Sequence, residues 1–263
     1  MSTNVDAATA GSAGGLFTIG FNGIFTFDPN GDFDALAVGD TQDTSITYTI
    51  QDDFGATDTA TLTFTVEGVN DAPRLEDTIF DTIAENGGTV SIFLLDNASD
   101  PEGDTLGIAN FMLVGGNDVG VSPGSVNELE LDADAYDYLA GGETETITYE
   151  YDVIDGNGGS ANQVATFNVT GVNDAPEAQD DTLTVETTDT EVSLFSDNGN
   201  GEDTDPDTND NFTVTQINGQ AFTAGGTITL ASGIVIEDDG NGNGELNIFH
   251  RTLMLGQTVT DSF

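Results

Sequence analysis

Two short stretches of this chain place oxygen-bearing side chains at alternate positions. They are Ser99-Asp100-Pro101-Glu102-Gly103-Asp104 and Asp203-Thr204-Asp205-Pro206-Asp207-Thr208-Asn209-Asp210-Asn211. Alternate carboxylates in a proline-stiffened loop point their oxygens to one side, and a hard divalent cation such as Ca²⁺ takes about six to eight such oxygens. The competing reading is an Asx-rich turn whose side chains cap their own backbone amides. Two observations favour metal. Each stretch follows a Val-Ser-aliphatic-Phe run, at 90–93 and 192–195, so the arrangement recurs at matched places. The chain also holds 48 Asp plus Glu against 2 Lys plus Arg, a net charge of −46. Two carboxylates about 4 Å apart repel by roughly 4 kcal/mol at an effective dielectric near 20. A fold this acidic therefore needs screening salt or bound cations. The EF-hand spacing is not met, because Thr208 stands where the turn glycine belongs and Val214 where the bidentate Glu belongs. Asp239-Gly240-Asn241-Gly242-Asn243-Gly244 hints at the nonapeptide of β-rolls but does not recur, and reads as a hairpin turn.

The same charge argues against nucleic acid or an anionic membrane as partner, since both recruit Lys and Arg. There is no cysteine, hence no disulfide, thiolate metal site or Cys nucleophile. His250 is the lone histidine, which leaves little for a Ser-His-Asp or His-rich metal site. Among so many acids a carboxylate pair says nothing about glycoside hydrolysis, and no Gly-rich phosphate loop joins a strand to a helix. Catalysis is not expected. A carbohydrate-binding module is the better rival, but such modules stack aromatic faces on sugars and this chain has no Trp. The first residues lack the positive and apolar regions of an ordinary signal peptide, and no run approaches 18 apolar residues.

These loops must be held by a scaffold, and the chain repeats one. Asn-Asp-Ala-Pro occurs at 70–73 and again at 173–176, 103 residues later, with matched residues before each copy. Phe33-Asp34-Ala35-Leu36 answers Tyr136-Asp137-Tyr138-Leu139, Gly39 answers Gly142, and Phe64-Thr65-Val66 answers Phe167-Asn168-Val169. A period near 100 residues is a whole small domain. Ile46, Tyr48 and Ile50 alternate with polar residues, as do Leu62, Phe64 and Val66. Ile147, Tyr149, Tyr151 and Val153, then Ala165, Phe167 and Val169, repeat this pattern as a late hairpin. Turn-rich segments such as 155–159 separate the strands. The expected fold is all-β, a tandem of antiparallel Greek-key β-sandwiches. Expected boundaries are 1–73 for a first repeat lacking its opening strands, 74–176 for a complete repeat, and 177–263 for a third that stops where its final hairpin would begin. The chain reads as a window on a longer array; the alternative is completion of the broken repeats by strand exchange with neighbouring chains.

These pieces resemble a cadherin repeat in its bacterial form. Ile83-Ala84-Glu85-Asn86 is similar to the Glu-Asn near the first cadherin strand. Asp100-Pro101-Glu102 and Asp205-Pro206-Asp207 resemble the Asp-x-Asp loop, and Asp52 and Asp155 stand at the late-strand Asp. Val-Asn-Asp-Ala-Pro looks like a shortened inter-repeat linker. Repeats with these ends also resemble the tandem Ig-like, VCBS-type domains of very large bacterial adhesins exported by type I secretion. The resemblance implies Ca²⁺ at the junctions. Carried over, the first junction uses Asn70, Asp71, Asp100, Glu102 and Asp155, and the second Glu85, Asn173, Asp174, Asp205 and Asp207. The Asp-Arg-Glu of the animal family is missing, and Glu143 lies near its place. Gly68 and Gly171 stand where an Asp is usual. The implied role is a calcium-rigidified segment of a bacterial cell-surface or extracellular adhesin. Its partners would be neighbouring repeats and homophilic, host or biofilm-matrix surfaces, without membrane insertion. The alternative is an accessory spacer or carbohydrate-binding module of a large secreted enzyme.

Overall fold

The computed structural model describes residues 7–21, 23–180, 182, 190–197, 199–231, 233–238 and 245–250. The expected turn at 239–244, Arg251 and the segment 256–263 lie outside them. Period-two sequence becomes strand almost throughout. The first 73 residues carry β1 (Thr9–Ala10), β2 (Leu16–Ile19), β3 (Phe25–Asp28), β4 (Thr41–Gln51) and β5 (Thr57–Glu67). Next come β6 (Arg74–Leu75), β7 (Ile79–Ala84), β8 (Thr89–Phe93), β9 (Ala98–Ser99) and β10 (Gly107–Gly115). They are followed by β11 (Val121–Pro123), β12 (Glu128–Asp132), β13 (Thr144–Ile154) and β14 (Ser160–Thr170). The last strands are β15 (Thr190–Ser193), β16 (Gln216–Ile217), β17 (Gln220–Ala221), β18 (Thr227–Thr229), β19 (Ile234–Asp238) and β20 (Glu245–His250). Two 3-10 turns, Glu85–Gly87 and Ala133–Tyr136, are the helical elements among the described residues.

Apart from β9, which pairs with β6, strands β7 to β14 build two sheets, ordered β10-β13-β14-β7 and β11-β12-β8. Chain neighbours switch sheet at β7 to β8, β8 to β10, β10 to β11 and β12 to β13, which is the Greek-key wiring of an Ig-like sandwich. The fold is therefore all-β and Ig-like. Hairpin β4–β5 keeps one register over its whole length, from Thr41 opposite Glu67 to Gln51 opposite Thr57. Asp52 closes its turn, with Oδ1 accepting the N–H groups of Phe54 and Ala56 at 2.9 Å each.

The chain falls into two compact units. One holds residues 1–81, 90–131 and 146–168. Its core includes an aromatic nest in which Phe64 stacks on Phe27 (5.2 Å between centroids) and lies 5.4 Å from Phe17. It also buries Ile92, Leu94, Leu129, Leu131, Ile147, Tyr151, Val153 and Phe167. Each such side chain contributes about 1.5–3 kcal/mol over an exposed one. The Tyr151 hydroxyl donates to the Leu94 carbonyl at 2.7 Å, tying β13 to the end of β8. The other unit holds 82–89, 132–145 and 169–263. It buries Ile83, Ala133, Tyr136, Leu139 and Val169, and a second cluster of Ile217, Phe222, Ile228, Leu230 and Ile236.

Matched positions in the two hairpins differ in cover. Tyr151 and Val153 are 1 % and 0 % exposed, whereas their counterparts Tyr48 and Ile50 are 39 % and 63 % exposed. The reason is local: β13 and β14 lie between β10 and β7, while β4 and β5 form a two-stranded sheet.

Candidate metal centres

Three segments converge at the second Asn-Asp-Ala-Pro. Strand β7 runs into the 3-10 turn that begins at Glu85. That turn is pinned to the turn Ala133–Tyr136, because Ala133 N–H donates to the Gly88 carbonyl (3.1 Å) and Gly88 N–H to Asp134 Oδ1 (3.2 Å). Glu85 is thereby held at 0 % exposure, with Oε1 accepting the N–H of Val172 in the linker. From the acidic loop, Asp207 is 2 % exposed and accepts the Asp174 N–H through Oδ2 at 3.0 Å. One carboxylate oxygen each from Glu85, Asp174 and Asp207 lies within 4.8 Å of the others. Glu85 Oε2 and Asp207 Oδ1 are buried and have no hydrogen-bond partner among the described residues.

The electrostatics follow from that packing. Burial pushes the Glu85 carboxyl above its usual range, the Val172 N–H opposes this, and the charges of Asp174, Asp207 and Asp137 push it further up. Asp137 is also raised, by burial first and then by Asp134, Asp174 and Asp132, and its Oδ1 is a third buried oxygen without a partner. Burying an anionic oxygen without a donor costs several kcal/mol. No Lys or Arg lies among the described residues of this unit. The donor set is all oxygen and anionic, which fits a hard divalent cation and suits neither an anion nor a soft metal. Asp205, Asp207 and Asp210 form a further group within 4.8 Å, so Asp207 belongs to two groups. Asp205 itself accepts the Asp207 N–H at 2.9 Å.

The first Asn-Asp-Ala-Pro repeats the plan. Asp71 N–H donates to Glu102 Oε1 at 2.8 Å, as Asp174 does to Asp207. Asp100 Oδ1 accepts the N–H groups of Glu102 (3.1 Å) and Asp104 (3.0 Å). Asp100, Glu102 and Asp104 each place an oxygen within 4.8 Å of the others, and Asp100 Oδ2 and Glu102 Oε2 are buried without partners. Asp155 differs. Its Oδ1 accepts N–H groups from Asn157 (2.7 Å), Gly158 (3.0 Å) and Gly159 (3.0 Å), and its Oδ2 accepts Asn70 Nδ2 at 2.8 Å. The Asn70 bond, ahead of the three amides, holds the Asp155 carboxyl below its usual range. Asp155 thus braces the linker through Asn70. Asn70 and Asn173 each also turn Nδ2 onto the carbonyl of the following Asp.

Of the eleven residues singled out from sequence, the structure groups Glu85, Asp174 and Asp207, groups Asp100 with Glu102, and sets Asp205 beside Asp207. Glu143 stands apart from these groups, exposed, with Oε2 accepting the Ala140 N–H at 3.3 Å. Three acids join that the sequence reading did not select: Asp104, Asp210 and Asp137. Asp104 and Asp210 lie within the acidic runs already described. Asp137 carried a signal too, as the acid of Tyr136-Asp137-Tyr138-Leu139, the counterpart of Phe33-Asp34-Ala35-Leu36. The linker glycines also gain a reason. A side chain at Gly171 would collide with the carbonyl oxygens of Leu139 and Ala140, and one at Gly68 with those of Leu36 and Ala37, so no Asp fits.

The sequence profile of the bacterial Ig domain matches residues 2–65 and 70–169, more than half of the chain. The chain belongs to the bacterial Ig domain family. Its similarity to solved structures is low. Cadherin domains 1–4 of protocadherin gamma B7 align over 91 % of this chain and 56 % of theirs, at 15 % identity and a TM-score of 0.40. Drosophila N-cadherin EC1-4 aligns over 67 % of this chain and 45 % of its own, at 16 % identity and a TM-score of 0.38. An endo-fucoidan hydrolase of glycoside hydrolase family 107 aligns over 63 % of this chain and 23 % of its own, at 18 % identity and a TM-score of 0.26. This bacterial Ig chain thus spans about a quarter of that hydrolase and about half of those cadherin fragments. No curated protein matches it. Among the described residues, no helix is long and apolar enough to cross a membrane.

Proposed function

We propose that this bacterial Ig chain is a calcium-binding, calcium-rigidified repeat segment of a secreted or cell-surface bacterial adhesin, and that it is not catalytic. The observation that carries the proposal is the set of buried carboxylate oxygens without donors at Glu85, Asp137 and Asp207, beside Asp174 and with no Lys or Arg among the described residues of their unit. Glu85, Asp137, Asp174 and Asp207 would hold one cation, with Asp205 and Asp210 extending the site. Asp100, Glu102 and Asp104 would serve the first linker. A bound Ca²⁺ supplies the positive charge that this oxygen set lacks. It ties linker to loop, so a Gly-Val-Asn-Asp-Ala-Pro stretch that would otherwise swivel becomes stiff, and binding energy becomes folding energy. VCBS-type identity, type I export, a biofilm role, surface location and contact with neighbouring repeats or a matrix partner belong to the same proposal. They draw support from the internal repeat, the family and the net charge of −46.

The test is a Ca²⁺ titration followed by melting temperature and hydrodynamic radius, with Mg²⁺ and NaCl at matched ionic strength as controls. A rise in melting temperature at sub-millimolar to millimolar Ca²⁺, unmatched by the controls, is expected. Stability that follows ionic strength alone, whichever salt supplies it, refutes the proposal.

A further inference from the structure

We propose that Arg74 is a cation built into the protein, doing at the first linker part of what a divalent ion does at the second, so that the two linkers take different numbers of cations. The inference rests on the calcium reading above and concerns what sets the stoichiometry.

The two linkers share two anchoring contacts. Asp71 N–H reaches Glu102 as Asp174 N–H reaches Asp207. Arg74 pairs with Ser99, and Glu177 with Thr204, the residues directly before Asp100 and Asp205. Arg74 and Glu177 therefore occupy the same place, 103 residues apart. Arg74 forms an ion pair with Asp34. The counterpart of Asp34, again 103 residues on, is Asp137, whose Oδ1 is buried without a partner. One carboxylate of the repeat is thus met by a guanidinium at the first linker. At the second its Oδ1 meets no donor among the described residues, and the position that supplied the guanidinium carries Glu177.

An exposed Arg–Asp pair adds little to stability. Its weight here lies in the ion count. A carboxylate engaged by a guanidinium is not offered to a metal, and a fixed positive charge beside the loop raises the cost of bringing in another cation. Exchanging Arg for Glu alters the local charge by two units. Both linkers have two buried oxygens without partners, Glu85 Oε2 and Asp207 Oδ1 at the second and Asp100 Oδ2 and Glu102 Oε2 at the first, so the charge at positions 74 and 177 is what separates them.

The test is calorimetric Ca²⁺ titration of the full chain, with native mass spectrometry for the bound number, on wild type, Arg74→Glu, Arg74→Gln and Glu177→Arg. Both positions are exposed, and circular dichroism checks that each variant folds. Arg74→Glu is expected to gain one Ca²⁺, or to bind at the first linker at least about tenfold tighter. Glu177→Arg is expected to lose one Ca²⁺, or to weaken by a similar factor. Arg74→Gln should fall between wild type and Arg74→Glu. Asp34→Asn should leave wild-type binding unchanged but remove the gain in the Arg74→Glu background. Wild type that binds Ca²⁺ while no variant differs in number or affinity overturns the role of Arg74 and leaves the calcium reading standing. Wild type that binds no Ca²⁺ overturns both.

Discussion

Replacing Glu85 by Gln should change stability in opposite directions with and without calcium. The substitution keeps the side-chain volume and an Oε1 to accept the Val172 N–H, while removing the charge. In chelator, ionised Glu85 faces Asp174 and Asp207 with oxygens within 4.8 Å, and at that separation each pair repels by about 3.5 kcal/mol at an effective dielectric near 20. The group escapes part of this by taking up a proton. For a group of ordinary pKa 4.5 that route costs about 3.4 kcal/mol at pH 7, which caps the penalty. Solvent near the loop lowers the figure, so Glu85→Gln should stabilise the calcium-free protein by about 1–3 kcal/mol. That corresponds to a melting temperature higher by roughly 5–15 °C. In saturating Ca²⁺ the same change removes an anionic ligand, and each tenfold loss of affinity withdraws about 1.4 kcal/mol. The assay is thermal unfolding of both proteins in EGTA and in 10-fold steps of Ca²⁺, read by circular dichroism. Curves that cross support the argument. A Glu85→Gln protein that is less stable than wild type in EGTA refutes it, because Glu85 would then be stabilising on its own.

The remaining predictions use the same geometry. Without divalent ions, Glu85 and Asp137 have raised folded pKa values and therefore bind more protons in the folded state; stability should rise as pH falls from neutrality through those values, and level off near their ordinary 4.5 and 3.8. Asp155 has the opposite sign, so its stabilisation is present above about 3.8 and is lost below it; denaturation curves from pH 7 to 2 should show an acidic optimum without Ca²⁺ that moves towards neutrality with it. Asp155→Ala should lower the melting temperature by at least about 5 °C even in EGTA, since its four hydrogen bonds need no metal. Gly171→Ala should cost at least about 2 kcal/mol by chemical denaturation, because both clashing atoms are backbone and cannot rotate away. Tyr151→Phe should cost about 1–2 kcal/mol by leaving the Leu94 carbonyl unpaired in the core.

What was legible in the sequence was whatever period two encodes. The strands β13 and β14 alternate over eleven residues each, long enough for one buried face to define them, and β4 and β5 carry the same apolar period with less of it buried. Two-residue strands such as β6 and β9 carry no pattern, and their pairing is set by the linker and the acidic loop they flank. The acidic loops were readable because i, i+2 spacing is itself local. Glu85 had no such spacing and entered through resemblance; its burial comes from a 3-10 turn fastened to another 3-10 turn 48 residues away. Asp137 sits one residue past that second turn, where the alternation of Glu128, Glu130, Asp132 and Asp134 has just broken at Tyr136. Glu143 shows the reverse error of proximity: close in sequence to the motif's place, it faces solvent because the preceding turn spends its carboxylate on the Ala140 amide.

The net charge of −46 then divides into two populations with different responses. Exposed carboxylates, such as Asp52 and Asp58, interact through water, and at physiological ionic strength charges more than about 8 Å apart hardly sense one another. For these, any salt serves. The oxygens of Glu85 and Asp207 are buried, and diffuse screening acts on them weakly. A monovalent ion would bring one charge to a space bordered by the carboxylates of Glu85, Asp174 and Asp207, and Mg²⁺ gives up its waters reluctantly and demands near-ideal octahedral geometry. Sodium chloride should therefore lift stability gradually and saturate, while Ca²⁺ adds a separate, steeper step at far lower concentration. Two such steps, separable by Glu85→Gln but not by substitutions at exposed acids, are what distinguish built cation sites from a surface that is merely acidic.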